Sequence, residues 1–434
     1  MKVYSFPRGG LTFYDNTAPE KKTAVNAFLP SFSVITLGDN VRKVYPVVSI
    51  GENVREGMLI GRASGSGTGA VNVHSTVPGR IIRRISWRDS FDINNDAYII
   101  KMEGAFEKLG RKEDIFLWNG LSGYDLQRII SENGITEMEN FGKPLSEMIS
   151  AARKEENLTL VVRCVFDDPW LVADYAMCKD RLKAVILGAS IVAKACLKVS
   201  RILIAVSYPE RELGQMLRSE ADRQGVPSSM VLTSSRYPQR NKRELELTLR
   251  KYEKKEELNL GSFLILGPAV LAAAYDAVVH KKPILERYVA VGGAAIRHPQ
   301  IMKVRIGTRI SEVIAQCGGF SEKPECIITG SPISGKEVMF LDEPVGKTCY
   351  AIAALSKSQG AHHKLQNCIN CGECRTVCPV GLDPQMIFKR IKAMEIDNIL
   401  TTGCHGCGCC KIVCPSSIPL RETIIESNQE AFGA

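Results

Sequence analysis

Two stretches near the carboxyl end, CINCGECRTVCP (Cys368–Pro379) and CHGCGCCKIVCP (Cys404–Pro415), superpose residue for residue as C-x2-C-x2-C-x3-C-P. No other feature restricts the fold so strongly. Three cysteines spaced by two residues sit on one tight loop and can reach three corners of a cubane. The fourth lies beyond three further residues, at a helical turn, and points the other way, toward a second cluster. The proline that follows bounds the next segment without needing an N–H. The spacing is that of a bacterial-type pair of [4Fe–4S] clusters. It assigns Cys368, Cys371, Cys374 and Cys414 to the first cluster, and Cys378, Cys404, Cys407 and Cys410 to the second. Gly372, Gly406 and Gly408 let backbone N–H groups approach the cluster sulfurs. The competing reading, two structural zinc sites, would use separated C-x2–4-C pairs and leaves the doubled three-plus-one pattern unexplained. Cys409, His405, His362 and His363 read as local neighbours of the motifs and not as ligands.

Nine of the 15 cysteines fall between Cys368 and Cys414, and the total is odd. Clustering of this kind excludes a secreted disulfide framework and points to metal. The amino-terminal MKVYSFPRGG has no apolar signal core. The longest uncharged stretch, Leu258–Tyr275, is interrupted by Asn259, Gly261, Ser262, Gly267 and Pro268, so it is not a membrane span. A soluble or peripheral protein is expected, one whose membrane role would require a partner. Lys+Arg 56 against Asp+Glu 47 leaves a net charge of +9. That excess suits an anionic surface or an acidic redox partner. No nucleic-acid motif accompanies it.

The remaining chain divides by pattern into a multidomain α/β and α+β protein. Residues 1–110 contain short strands and turns around VVSIGENVREGMLIGRA and VNVHSTVPGRIIRRI, the pattern of a lipoyl-like barrel–sandwich hybrid. Its tip, SGSGTGA, lacks the lysine that carries a lipoyl or biotinyl group, and no GK[ST] follows to make a phosphate loop. A docking or scaffold role is favoured, with Arg80, Arg83, Arg84 and Arg88 as a solvated basic face. Residues 111–288 alternate helical and strand-like runs, which predicts an α/β domain with a partly parallel sheet. There LTLVVRCVF, AVILGASIVA and RILIAVSYP read as β-rich or mixed runs, and RNKRELELTLRKYEKKEEL as a solvated helix or loop. Residues 289–355 fit a β-grasp unit, with Cys317, Cys326 and Cys349 as core thiols and Gly293 and Gly330 as turn glycines. Residues 356–434 hold the ferredoxin module, with an amphipathic helix expected between its motifs through Met386, Ile387, Ile391, Met394 and Ile396.

The ordered set resembles the C subunit of the Rnf electron-transport complex. It comprises FPRGG (Phe6–Gly10), the lysine-less barrel, the α/β middle, VGGAAIRHPQIMKVRIGT (Val291–Thr308), the two cysteine motifs and CPSSIPLRETI (Cys414–Ile424). The resemblance implies an SLBB-type β-grasp unit and a middle domain like the flavin-binding, NADH-oxidising subunit of respiratory complex I. It implies FMN, an acidic nucleotide site represented here by Asp168 and Asp174, and integral-membrane partner subunits. The place implied is peripheral, on the cytoplasmic side of the plasma membrane. Several positions depart from that family. TEMENFGKPLS (Thr136–Ser146) stands where the glycine loop is expected, removing the glycines that let backbone approach a flavin. YPQR (Tyr237–Arg240) replaces YPQG, GSPISG (Gly330–Gly335) replaces GGPMMG, and within DDPWLVAD Trp170 and Val172 replace Tyr and Thr. In these respects the middle domain is closer to the A subunit of the sodium-translocating NADH:quinone reductase, and the sequence argues against bound FMN and NADH.

The expected function is a peripheral subunit that relays single electrons through two [4Fe–4S] clusters, while partner subunits move ions. The donor would be a soluble carrier of ferredoxin or flavodoxin type, or NADH. The alternatives are an FMN-dependent NADH dehydrogenase subunit of the same complex, or a non-catalytic scaffold whose clusters only stabilise its tail.

Overall fold

The computed structural model describes the whole chain except residues 1, 13, 40–41, 66, 68, 89–92, 108, 111–113, 138–141, 358–364, 394–402 and 433–434, together with the side chains of 428–432. His362, His363, Met394 and Ile396 therefore lie outside the described residues.

A five-stranded, all-parallel sheet forms the centre. Its order is Val3–Tyr4, Ser228–Thr233, Val199–Ser207, Leu158–Cys164, Ser262–Leu266. Leu158–Cys164 is buried at every residue, as a central strand covered on both faces must be. The helix Gly123–Glu132 begins with a capping box in which Ser122 and Asp125 satisfy each other's backbone N–H groups. The run AVILGASIVA, expected to be β-rich or mixed, belongs instead to the helix Leu182–Cys196. A helix buried on nearly all sides has no amphipathic period, so pattern alone does not separate it from a core strand. It packs on the helix Pro268–Val279 through Gly188, where a Cβ would lie 1.9 Å from the Leu271 carbonyl oxygen. The charged run is the helix Lys242–Lys255. It is not wholly solvated, because Glu244, Leu245, Thr248 and Leu249 are buried.

The barrel–sandwich unit comprises a four-stranded sheet (Phe32–Asp39, Asn94–Met102, Gly79–Arg88, Asn53–Val54) and a three-stranded one (Val44–Pro46, Leu59–Ala63, Val73–His74). Between them pack Ile35, Leu37, Ile60, Val73, Ile81 and Ile100. The four arginines of Gly79–Arg88 are exposed, and Arg84 pairs with Asp96 at 2.5 Å.

The first 30 residues leave this unit. Val3–Tyr4 adds an edge strand to the parallel sheet, and Val25–Asn26 adds one to the β-grasp sheet. Short segments with too few apolar residues for a core of their own are stabilised by borrowing a sheet edge.

The β-grasp sheet runs Lys336–Glu337, Cys326–Thr329, Ala351–Leu355, Glu286–Gly292, Gln300–Arg305, Val25–Asn26. The helix Ile310–Gln316 packs against it. Cys317 and Cys349 are buried and Cys326 half-buried. Gly293 has φ +100°, and a Cβ there would lie 2.1 Å from the Ala354 carbonyl oxygen.

The carboxyl-terminal module repeats itself. Short turns of helix, Glu373–Thr376 and Cys409–Ile412, pack on one another, as do the helices Pro384–Lys392 and Leu420–Phe432. Each short turn starts from a left-handed glycine, Gly372 (φ +79°) or Gly408 (φ +81°). No helix among the described residues is long and apolar enough to cross a membrane.

Candidate iron–sulfur centre and the filled crevice

The repeated turns place the cysteines in two groups that cross between the motifs. Cys368, Cys371 and Cys374 line one recess together with Cys414. Cys404, Cys407 and Cys410 line the other together with Cys378. The third cysteine of each motif lies in the helical turn, and the fourth follows the turn instead of starting it. Cys378 lies four positions after Cys374, and Cys414 four after Cys410. At the helical rise this carries the chain about 6 Å from one recess to its neighbour.

The recesses are nearly equal, about 410 and 390 Å³ with their mouths included, and almost wholly apolar. Four thiols standing around a recess, twice, fit a cubane. Burial raises the thiol pKa of Cys374, Cys404 and Cys410, while the Cys409 thiol, hydrogen-bonded to Cys407, pulls Cys407 down to about 7.

Cys409 also lines the second recess, but it is fully buried beside Tyr237 and Val377 and its thiol is engaged with Cys407. His405 is held by Glu244 (Nε2 to Oε2, 3.2 Å) and Asn241 (Nδ1 to Nδ2, 2.8 Å), as a local polar neighbour would be. Tyr237 Oη donates to the Cys407 carbonyl at 2.7 Å. Gly10 N donates to the Val377 carbonyl at 2.8 Å, and a Cβ on Gly9 would meet the Cys378 carbonyl at 2.6 Å. Arg421 ties Gly406 O (2.7 Å) to Ser334 O (3.2 Å). Sequence reasoning missed Tyr237, Glu244 and Arg421 as holders of the second group. The sequence marked this segment at Arg240, where YPQR replaces YPQG, and not at Tyr237.

In open parallel sheets nucleotides bind outside the carboxyl ends of the strands. Here that crevice is filled with protein. Asp174 accepts from Arg240 (Nη2 to Oδ2, 3.3 Å) and stands in an ion pair with Arg287 (Nη2 to Oδ1, 3.1 Å), and all three side chains are buried. Glu137, from the segment replacing the glycine loop, is buried against Arg163 at 3.6 Å. Gly134 is used for packing, since a Cβ there would lie 2.1 Å from the Asn72 carbonyl oxygen. Asp168 caps the short turn Pro169–Leu171, accepting from Trp170 N at 3.0 Å, and burial lifts its pKa to about 6. Asp168 and Asp174, which the resemblance implied for a nucleotide site, are both committed to neighbouring protein groups. These residues do not fit FMN.

Asp167 is enclosed beside them. Its Oδ2 accepts from Arg240 N at 2.8 Å, its Oδ1 has no partner among the described residues, and burial lifts its pKa to about 8. A carboxyl that keeps its proton when folded contributes stability that is fully present below the unfolded value of about 4. That contribution is lost as pH rises through about 8. The thermal midpoint is therefore expected to fall across this window. Asp167→Asn keeps the Arg240 hydrogen bond and should flatten the fall, exceeding the parent at pH 8. Melting curves at pH 5 and 8 decide this, and an unchanged pH slope would refute it.

The fold and the crossed thiols define an iron–sulfur electron-transfer protein on a scaffold containing a β-grasp unit. Residues 288–336 match the SLBB domain, and residues 362–415 match the 4Fe-4S dicluster domain. Its sequence relatives include C subunits of ion-translocating oxidoreductase complexes, to which the chain is similar over most of its length. It is 27% identical to the C subunit of the ion-translocating oxidoreductase complex of Rhodobacter capsulatus, over 82% of this chain and 69% of that one. The C subunit of the proton-translocating ferredoxin:NAD(+) oxidoreductase complex of Clostridium ljungdahlii is 26% identical over 79% and 74%. The Na(+)-translocating counterpart of Acetobacterium woodii is 24% identical over 78% and 76%. Among solved structures, an NAD+-reducing [NiFe]-hydrogenase superposes on 55% of this chain and 48% of its own at a TM-score of 0.46 and 12% identity.

Proposed function

We propose that the chain is the peripheral electron-relay subunit of an Rnf-type membrane complex, seated on the cytoplasmic face of the plasma membrane. It exchanges electrons with a soluble carrier, and partner subunits move the ion. The observation that carries this reading is the crossed grouping of eight thiols around two adjoining recesses. When bound, each [4Fe–4S] group supplies one-electron chemistry.

The chain's own residues supply the rest. Cys368, Cys371, Cys374 and Cys414 hold one group. Cys378, Cys404, Cys407 and Cys410 hold the other, so each motif contributes to both. Apolar side chains such as Phe388, Ile418 and Leu420 line the first recess and limit water there. Tyr237, Glu244 and Arg421 hold the second against the body of the protein.

Anaerobically reconstituted protein is expected to contain about eight iron and eight sulfide atoms per chain, with reducible EPR signals and no flavin. Stoichiometric zinc without such signals would refute the relay. A yellow flavin that NADH bleaches would favour the dehydrogenase alternative.

A further inference from the structure

Residues 114–120, which lead into the helix Gly123–Glu132, present apolar side chains to the outside. Leu117 is 88% exposed, and Ile115 and Phe116 beside it are exposed too. Two helix ends hold this segment. Phe116 N donates to the Val279 carbonyl at 2.8 Å, at the end of Pro268–Val279, and Lys281 Nζ stands 3.7 Å from the centre of the Phe116 ring. Lys194, in the last turn of Leu182–Cys196, donates to the Asn119 carbonyl and lies 5.8 Å over the Trp118 ring. Arg153 extends the same surface. It donates to the Ala195 and Gly123 carbonyls, both at 2.8 Å, and stacks 4.1 Å over Tyr124, which is 66% exposed.

Leu197 ends the helix Leu182–Cys196 in the left-handed region, φ +69°, where glycine or asparagine is the ordinary choice. Its side chain lies over Gly123, where a Cβ would meet Leu197 Cδ2 at 2.6 Å, yet the residue stays 55% exposed, so burial does little to offset the backbone cost. A costly conformation kept at the surface is typical of a functional contact. Across residues 114–128, 151–156, 194–198 and 279–282, seven basic side chains stand against four acidic ones. Of the acidic ones, Asp125 is held by Ser122 and Glu155 by Ser262. Three cations thus sit on three aromatic rings, beside two exposed leucines. The cores of protein–protein interfaces are depleted of lysine. Rings that carry lysine and arginine are instead the pattern of a membrane–water boundary. There the ring lies at headgroup depth, the cation reaches lipid phosphate, and neighbouring leucines enter the acyl border.

We propose that this face of the α/β domain, residues 116–118 with Tyr124 and Leu197, rests directly on a bilayer that contains anionic lipid. This builds on the peripheral seat proposed above and identifies the surface that makes the contact. Lys194, Lys281 and Arg153 meet the lipid phosphates, and Leu117 and Leu197 insert between the headgroups. The contact is noncovalent and reversible, and salt weakens its electrostatic part.

The test sediments the full, anaerobically loaded chain with liposomes of phosphatidylcholine alone or with about 30% phosphatidylglycerol added. The parent should partition onto the anionic liposomes about tenfold or more better than onto the neutral ones, and less so as salt is raised. Leu117→Ser/Leu197→Asn removes exposed apolar area and gives the left-handed position a residue that suits it, so its melting midpoint should hold or rise. Its partition onto anionic liposomes should fall about tenfold or more. Lys194→Gln/Lys281→Gln should bring the partition about tenfold down, toward the value for neutral liposomes. Both variants should keep the parent's iron content and EPR signals. Binding by both variants equal to the parent's would overturn the assignment of this face. So would a parent that ignores anionic liposomes; retention of that parent, but not of the variants, by the detergent-solubilised membrane subunits would give the face to a protein partner instead. A parent that binds anionic liposomes but shows no reducible EPR signals would overturn the relay and leave the lipid face standing.

Discussion

Cys378→Ser is expected to remove the group held by the second cysteine motif, although Cys378 lies in the first. Its iron content should drop from about eight to about four. The remaining EPR signal should coincide with that of Cys404→Ser and differ from that of Cys371→Ser. Cys414→Ser should do the converse and coincide with Cys371→Ser. The reason is geometric. Cys378 follows the turn Glu373–Thr376 and lines the recess of Cys404, Cys407 and Cys410, while Cys414 lines the other. If each motif served its own group, Cys378→Ser would pair with Cys371→Ser, and the crossed arrangement would fail. Each loss should also loosen the module. Its halves bury few apolar side chains, chiefly Ile387, Ile418, Leu420 and Ile424, and ligand binding contributes folding free energy directly. Iron and sulfide analysis with low-temperature EPR of the four variants settles the pairing.

The cysteine register was legible because coordination chemistry fixes spacing more tightly than any packing preference does. The barrel and the β-grasp unit were legible from their turns, which require glycines such as Gly51 and Gly57 in the one and Gly318 and Gly319 in the other, all at positive φ. Other features left no such mark. Leu182–Cys196 is buried on most sides, so neither a helical nor a strand period survives in its hydropathy. Val3–Tyr4 and Val25–Asn26 are two-residue strands whose partners lie more than 200 residues away. Pairing at that distance depends on topology and not on local composition. The acidic pair Asp168 and Asp174 could be located from sequence, but its role could not, because the residues that occupy it come from three separate segments. Arg240 follows one strand of the parallel sheet, Arg287 belongs to the β-grasp sheet, and Glu137 sits in the segment that replaces the glycine loop.

That filled crevice makes Asp174 the residue outside the cysteine motifs whose loss is expected to be most damaging. Its carboxylate stands between two buried guanidinium groups, and burial already holds Arg240 down to about 10, with Arg287 acting in the same direction. Asp174→Ala removes the shared counter-ion and leaves two like charges enclosed. Removing one side of a buried pair destabilises by about 3–5 kcal/mol, far more than the pair itself stabilises relative to an apolar filling. The urea midpoint of the α/β domain should fall accordingly. Asp174→Leu/Arg240→Met/Arg287→Met, which removes all the charges together, should recover most of the loss. The effect should also reach the ferredoxin module. Arg240 follows Tyr237 by three residues, its backbone N–H is bonded to Asp167, and Tyr237 Oη holds the Cys407 carbonyl. Loosening this corner should expose the group held by Cys404, Cys407 and Cys410 to solvent and oxygen. Air bleaching of Asp174→Ala should therefore quicken for that group first, with the Cys371 group following at the parental rate. Equal bleaching of both groups, or a stability unchanged by Asp174→Ala, would show that the crevice and the relay are mechanically independent.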